Sequence, residues 1–362
     1  MEIKSLQLNN YRNYNNQKVN FSSGLNILVG KNAQGKTNML ESVFLCAIGR
    51  SPRTTKDKDL IKWDCSFSKV TIEVLRKSGH NKIEVYLFNN QNKAIKVNSF
   101  PLKRMGELMG EFNAIYFSPD ELKLVKESPD ERRRFMDIDL CQFNKNYFYN
   151  LSKYNNILNQ RNKLLKVTSS ESVLKETISI WNEQLADVGS KIITERIKLI
   201  EKLKVHANNI QKYLTDGNES LEITYAGMTG EDDIEIKQKL ITAYEKSLEK
   251  DMNLGYTTVG PHRDDMKIVL NDIDVRHFGS QGQQRTVALA LKLAELEVFK
   301  DNIGEYPVLL LDDVLSELDT NRKIKLLNHV KNIQTIVTCT SFNYDIPCTK
   351  FVIENGNINT TY

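Results

Sequence analysis

Gly30-Lys31-Asn32-Ala33-Gln34-Gly35-Lys36-Thr37 decides the fold. The string has the spacing G-x-x-x-x-G-K-[ST]. It follows the apolar run Leu25–Val29 and precedes the apolar stretch Met39–Ile48, so it reads as strand, loop and helix. Each residue type answers a physical need. Gly30 and Gly35 let the backbone curl until successive N–H groups point inward at an anion. The helix that starts near Thr37 aims the positive end of its dipole at the same place. Lys36 supplies a point charge to the β- and γ-phosphates, and the Thr37 hydroxyl is a ligand for Mg2+. The reading is an ATP site.

Working outward, Val308–Leu311 is a second continuous apolar strand, and it ends in Asp312 and Asp313. Asp312 fits the magnesium-side carboxylate beside Thr37, and Asp313 fits the general base for an attacking water. A third element, Phe278-Gly279-Ser280-Gln281-Gly282-Gln283-Gln284-Arg285, opens a helix with a hydroxyl and small residues. It is either a second anion-binding helix start or an ordinary cap at Ser280. Two such starts in one ATPase suggest that Ser280, Gly282 and Gln283 of one copy close on the nucleotide held by another.

The chain of 362 residues is 40% hydrophobic, enough for a large core, and its formal charge is only +4. Any nucleic-acid surface must therefore be a local patch. Five widely spaced cysteines, with no C-x-x-C pair, exclude a zinc or disulfide framework as the organising feature. There is no secretory pattern at the start and no apolar run long enough to span a bilayer, so a cytoplasmic protein is expected.

The order of elements predicts an α/β head split by a helical insertion. Strands are expected at 3–8, 17–21, 25–29, 70–76, 82–88 and 114–117. One long helix is expected over 129–166, roughly 55 Å in length, with Ser128 as its cap. A polar break at 167–172 separates it from a helix at 173–214, and another helix follows at 233–251. Alternation of strands and helices returns with strands at 266–270, 308–311, 335–339 and 351–354. The expected division is 1–120 for the first part of the head, 121–252 for the helical lobe and 253–362 for the second part.

The phosphate loop, acidic strand and helix start, in this order, resemble the ATP-binding-cassette heads of SMC-like proteins, and Leu315-Ser316-Glu317-Leu318-Asp319 resembles their D-loop. The whole chain is more specifically similar to the RecF family of recombination mediators. The strings that carry this are Asn10-Tyr-Arg12-Asn13-Tyr14, Ser51-Pro-Arg53-Thr54, Phe117-Ser-Pro-Asp120, Arg132-Arg-Arg134-Phe-Met-Asp137, Gly260-Pro-His262-Arg263-Asp264-Asp265 and Ser280-Gln-Gly-Gln-Gln-Arg285. The resemblance implies an ABC-type P-loop ATPase head, with a mixed sheet flanked by helices, an antiparallel β-subdomain and an inserted helical lobe. It also implies a protein that binds single- and double-stranded DNA at gaps and junctions and dimerises on ATP. Action with RecO and RecR to load RecA follows from it too, as do links to replication and the SOS response. In such heads Arg12 and Arg53 reach nucleotide phosphates, although a salt bridge is the open alternative for both.

Transport cassettes carry a glutamate where this chain has Asp313, and a histidine where it has Thr340 and Ser341. A weak, DNA-stimulated ATPase acting as a switch is therefore expected. The basic clusters offered for DNA are Arg132, Arg133 and Arg134; Lys153, Arg161, Lys163 and Lys166; and Arg50, Arg53, Lys56, Lys58 and Lys62.

Overall fold

The computed structural model describes residues 1–167 and 171–361. Two compact units emerge, 1–122 with 292–362, and 123–291. Residues 253–291, expected in the head, cluster instead with the helical unit.

The first unit holds two six-stranded sheets. One is antiparallel and contains β1 (Glu2–Tyr11), β2 (Tyr14–Asn20), β4 (Phe67–Arg76), β5 (Gly79–Phe88), β6 (Ala94–Val97) and β7 (Phe100–Pro101), in the order β2-β1-β4-β5-β6-β7. The other is mixed. It is built from β3 (Leu25–Val29), β8 (Ala114–Phe117), β12 (Val308–Asp312), β13 (Thr335–Cys339), β14 (Thr349–Glu354) and β15 (Asn357–Thr361), in the order β15-β14-β3-β13-β12-β8. Only β15 runs antiparallel to its neighbour. Strands β12 and β13 are buried along their whole length, which is why they read as unbroken apolar runs rather than as alternation. Helix α1 (Lys36–Ile48) follows β3, and α10 (Thr320–His329) begins on an Asp319 side chain that accepts from the Arg322 N–H.

The second unit is helical, with α2 (Lys123–Lys126), α3 (Pro129–Phe143), α4 (Lys145–Val167), α5 (Glu171–Leu214), α6 (Asp233–Lys246), α7 (Leu248–Leu254) and α8 (Val275–Phe278). A small sheet of β9 (Leu221–Ala226), β10 (Asp265–Leu270) and β11 (Ile273–Asp274) lies among them. Helix α9 (Gln281–Ile303) contributes residues to both units.

Two expectations need correction. The single helix over 129–166 is two helices, broken at Asn144, whose φ of −132° leaves the helical region. Its side chain accepts from the Tyr147 N–H at 3.1 Å and so starts α4 anew. The helix over 233–251 is likewise divided at Ser247. Of the polar break expected at 167–172, residues 168–170 lie outside the described residues, while Val167 belongs to α4 and Glu171 to α5. Among the described residues no helix is long and apolar enough to cross a membrane.

Candidate nucleotide site

The phosphate loop is shaped from several directions. Gly35 has φ 116°, and a Cβ there would lie within 3 Å of Asn13 and the Tyr14 hydroxyl. The Asn13 side chain donates to Gln34 O at 2.9 Å, and Tyr14 donates to Gly35 O at 2.9 Å. At the other end, a Cβ on Gly30 would collide with Ile353 O. Ala33, with φ 65°, bends the crown, where Lys31, Asn32 and Ala33 stand exposed. Helix α1 starts at Lys36 with no side-chain cap, so its first N–H groups are left to an anion. Lys36 is buried, and its ammonium donates to Gly30 O at 2.6 Å and Lys31 O at 3.0 Å, which curls the loop around the charge.

Thr37 and Asp312 meet at the end of β12. The Thr37 hydroxyl donates to Asp312 Oδ1 at 2.8 Å. Asp312 is buried and accepts two more hydroxyls, from Thr338 at 2.8 Å on Oδ1 and from Tyr116 at 2.7 Å on Oδ2. Thr338 Oγ1 also accepts from the Asp313 main-chain N–H at 2.8 Å. Asp313 adopts the left-handed conformation, φ 53°, which turns it away from the strand direction. Burial, and then the neighbouring Asp312 charge, raise its carboxyl above the ordinary aspartate value, against the pull of Lys36 and the Thr338 hydroxyl.

This donor set suits Mg2+. One hydroxyl and one carboxylate are hard oxygen donors, and they are few enough to leave positions for water and phosphate. Among the described residues no group of three or more His, Cys, Asp or Glu forms a metal cage.

Arg12 does not face the loop as an open cation. Its guanidinium makes a two-pronged pair with Glu41, 2.9 and 2.8 Å, and donates to Asp59 O at 2.7 Å. Glu41 lies fully buried on α1 and also accepts from Ser51 at 2.6 Å. The salt-bridge alternative is thus the one observed, but with a buried partner. Arg53 is about half exposed, donates to Asn38 Oδ1 at 3.0 Å and lies 3.6 Å from Glu41.

Ser280 and Gln283 cap α9 reciprocally: Ser280 Oγ accepts from the Gln283 N–H at 3.2 Å, and Gln283 Oε1 accepts from the Ser280 N–H at 3.0 Å. Ser280 and Gly282 are exposed, and a Cβ on Gly282 would meet open space.

The arginine cluster needs correction. Arg132 is buried and forks onto Asp265 at 2.6 and 3.0 Å. Arg133 is turned to Asp130 and Asp264 O. Arg134 is the half-exposed member, and it approaches Glu131 at 3.9 Å. Arg161 is also core. It meets Asp251 at 2.8 Å, Asn182 at 2.8 Å and Thr257 at 2.7 Å, with its face over Tyr244. His262 is structural, lodged between the Tyr154 hydroxyl at 2.7 Å and Thr257 O at 3.0 Å.

Sequence reasoning passed over Glu41, Tyr116 and Thr338. Glu41 was detectable as the lone acid in an apolar helix. Thr338 required the register, which sets it beside Asp312.

The RecF/RecN/SMC N terminal domain family model matches residues 2–346. The DNA replication and repair protein RecF of Ruminiclostridium cellulolyticum is 47% identical over 370 residues, covering 99% of this chain and 100% of its own. That of Clostridium novyi is 44% identical over 365 residues, with 99% and 100% covered. Among solved structures, the recombination mediator protein RecF with ATP in the RecFOR pathway aligns with a TM-score of 0.91 at 39% identity, over 99% of this chain and 97% of its own. An Smc head bound to the C-terminal winged-helix domain of ScpA aligns with a TM-score of 0.59 at 16% identity, covering 100% of this chain and 97% of its own, a likeness of fold alone.

Proposed function

The chain belongs to the RecF family, and from that premise we propose that it is an ATP-dependent DNA-binding protein of recombinational repair. It dimerises on ATP, hydrolyses it slowly and works at single-strand gaps and double-strand junctions with RecO and RecR to load RecA, in the cytoplasm with the nucleoid. Roles in replication and SOS induction follow from the same reading. The observation that carries it is the Thr37–Asp312 hydrogen bond beneath an uncapped helix start. The ATP-bound RecF structure at 39% identity supports the choice of nucleotide.

In this reading the N–H groups from Lys31 to Thr37 hold the phosphates, with Lys36 moving from the loop carbonyls to the γ-phosphate. Thr37 and Asp312 would hold Mg2+, which would supply charge neutralisation to the phosphates. Asp313 takes the proton from the attacking water. Arg12 acts at one remove, by bracing α1 through Glu41. Ser280, Gly282 and Gln283 of a second copy close on the γ-phosphate. Arg53 and Arg134, with the lysines of 56–62, are the cations offered to the DNA backbone.

Sizing with and without ATP, alongside Lys36→Arg and Ser280→Arg, tests this. The wild type is expected to shift to a dimer with ATP and both variants to stay monomeric. A dimer indifferent to ATP and to both changes would overturn the reading.

A further inference from the structure

Trp63 is the most exposed large hydrophobic side chain among the described residues, with 90% of its surface open to solvent. Tryptophan is large and on average highly buried, so the fold alone does not account for an indole in this position. The ring also stands on a braced turn. The Cys65 N–H donates to Lys62 O at 3.1 Å and closes a turn with Trp63 and Asp64 at its centre, Asp64 lying in the left-handed region at φ 64°. The Lys62 N–H donates to Asn10 O at 2.8 Å and Ile61 bridges Tyr11, so the turn is tied to the end of β1. On the far side the Asn89 side chain donates to Cys65 O at 3.0 Å, and the Asn89 N–H to Ser66 O at 3.3 Å. A ring carried this way has little backbone freedom left to lose on binding.

The approach to the ring is basic. Arg50, Lys56 and Lys58 stand exposed before it, and Arg53 is about half exposed. Lys62 is turned back onto Asn13 O at 3.4 Å. Of the acids in the same stretch, Asp57 pairs with Lys93 at 3.0 Å and Asp59 accepts from the Thr54 hydroxyl at 2.8 Å. Asp64, beside the ring, is exposed and opposes a phosphate there. A strand that lays its phosphates on the cations therefore presents the ring with a base.

Lysine is depleted from protein interfaces, whereas cations beside an exposed ring are the pattern of a single-strand groove. A base inside a duplex has both faces covered by its neighbours, and only an unpaired base can lie flat on a ring. We infer that Trp63 is a stacking platform for an unpaired base, and that with the cations of 50–58 it favours single-stranded over duplex DNA. The inference rests on the DNA-binding reading and adds to it the residue that tells the two forms apart.

The test uses the full chain with ATP and Mg2+. Fluorescence anisotropy measures binding of a labelled oligothymidylate, of an abasic strand of the same length, and of a competing relaxed circular duplex, which has no ends to stack on. The wild type is expected to prefer the thymidylate to the abasic strand about tenfold, the scale of one base stacked on an aromatic ring. Trp63→Ala is expected to erase that preference while abasic-strand affinity, duplex affinity and melting temperature stay as they were. Trp63→Phe is expected to restore most of it. Lys56→Ala with Lys58→Ala is expected to weaken binding of all three DNAs and flatten its salt dependence, with the preference kept. In Trp181→Phe, where Trp63 is the one indole left, the thymidylate should quench the emission and the abasic strand should not. An unchanged preference in Trp63→Ala overturns this inference alone and leaves the ring to a protein partner. An equal loss on all three DNAs also overturns it, since the ring would then serve the fold or a backbone contact. Failure of the wild type to bind any of the three overturns the DNA-binding reading and this inference with it.

Discussion

The Thr37 hydroxyl donates to Asp312 Oδ1 at 2.8 Å across 275 residues of sequence. Two groups joined by a hydrogen bond should not behave independently. Thr37→Val and Asp312→Asn are each expected to abolish the Mg2+-dependent part of ATP binding, and the double variant to be little worse than either. A thermal-shift series reads this directly. ATP at a hundred times its Kd stabilises the wild type by about 2.7 kcal/mol, and the Mg2+-dependent part of that increment should vanish in all three variants. Additive losses would separate the two residues.

Asp313 should govern turnover rather than binding. Asp313→Asn is expected to lower kcat by about 10²- to 10⁴-fold while ATP still drives dimerisation. The base must be ionised to act, and its pKa is raised by burial and by Asp312. Activity should therefore fall as pH drops through a value above that of an ordinary aspartate. A kcat–pH profile with no acid limb above that value would contradict the assignment.

Arg161 and Asp251 form a fully buried pair at 2.8 Å. Truncating one partner strands the other charge, so Arg161→Ala should cost about 3–5 kcal/mol in urea unfolding of the helical unit. Arg161→Met with Asp251→Leu should cost much less, because no buried charge then remains.

Two neighbours in the 260–265 turn should oppose each other in pH-dependent stability. Burial raises the Asp264 carboxyl to about 6, so its contribution is present at low pH and lost as pH rises through that value. Burial lowers the His262 imidazole to about 4, so its contribution is present at neutral pH and lost as pH falls through that value. Each is worth about 3 kcal/mol. The wild type should be nearly flat between pH 4 and 6, Asp264→Asn should lose stability toward acid, and His262→Gln should gain it. Parallel slopes in denaturant midpoints would refute the opposition.

Arg132 and Arg134 should part company. Arg132→Ala is expected to destabilise the fold, because it leaves Asp265 unpaired. Arg134→Ala should leave stability unchanged and flatten the salt dependence of DNA binding by about one phosphate contact. A salt titration of binding beside a melting curve separates them.

The phosphate loop, the acidic strand and the split head were readable because their physics is local. A glycine must turn, an apolar run must be buried, and a helix start must meet an anion. The arginines were not readable in the same way. Arg132, Arg134 and Arg161 look alike in sequence, and only the fold gives Arg132 and Arg161 the acids Asp265 and Asp251. The break at Asn144 was hidden for a related reason. Asparagine is tolerated inside a helix, and only its bond to the Tyr147 N–H reveals a new start. Tyr116 and Thr338 depend on strand register, which no periodicity encodes.

Strand β3 carries the phosphate loop, and its two neighbours in the sheet are β13 and β14. During synthesis Leu25–Val29 emerges long before residues 335–354 exist. Until then β3 has two open edges, and Gly30 lacks both the Cys339 carbonyl that accepts its N–H and the Ile353 carbonyl that closes on its Cα. An apolar strand therefore waits unpaired for most of translation, open to pairing with other chains until the last strands arrive.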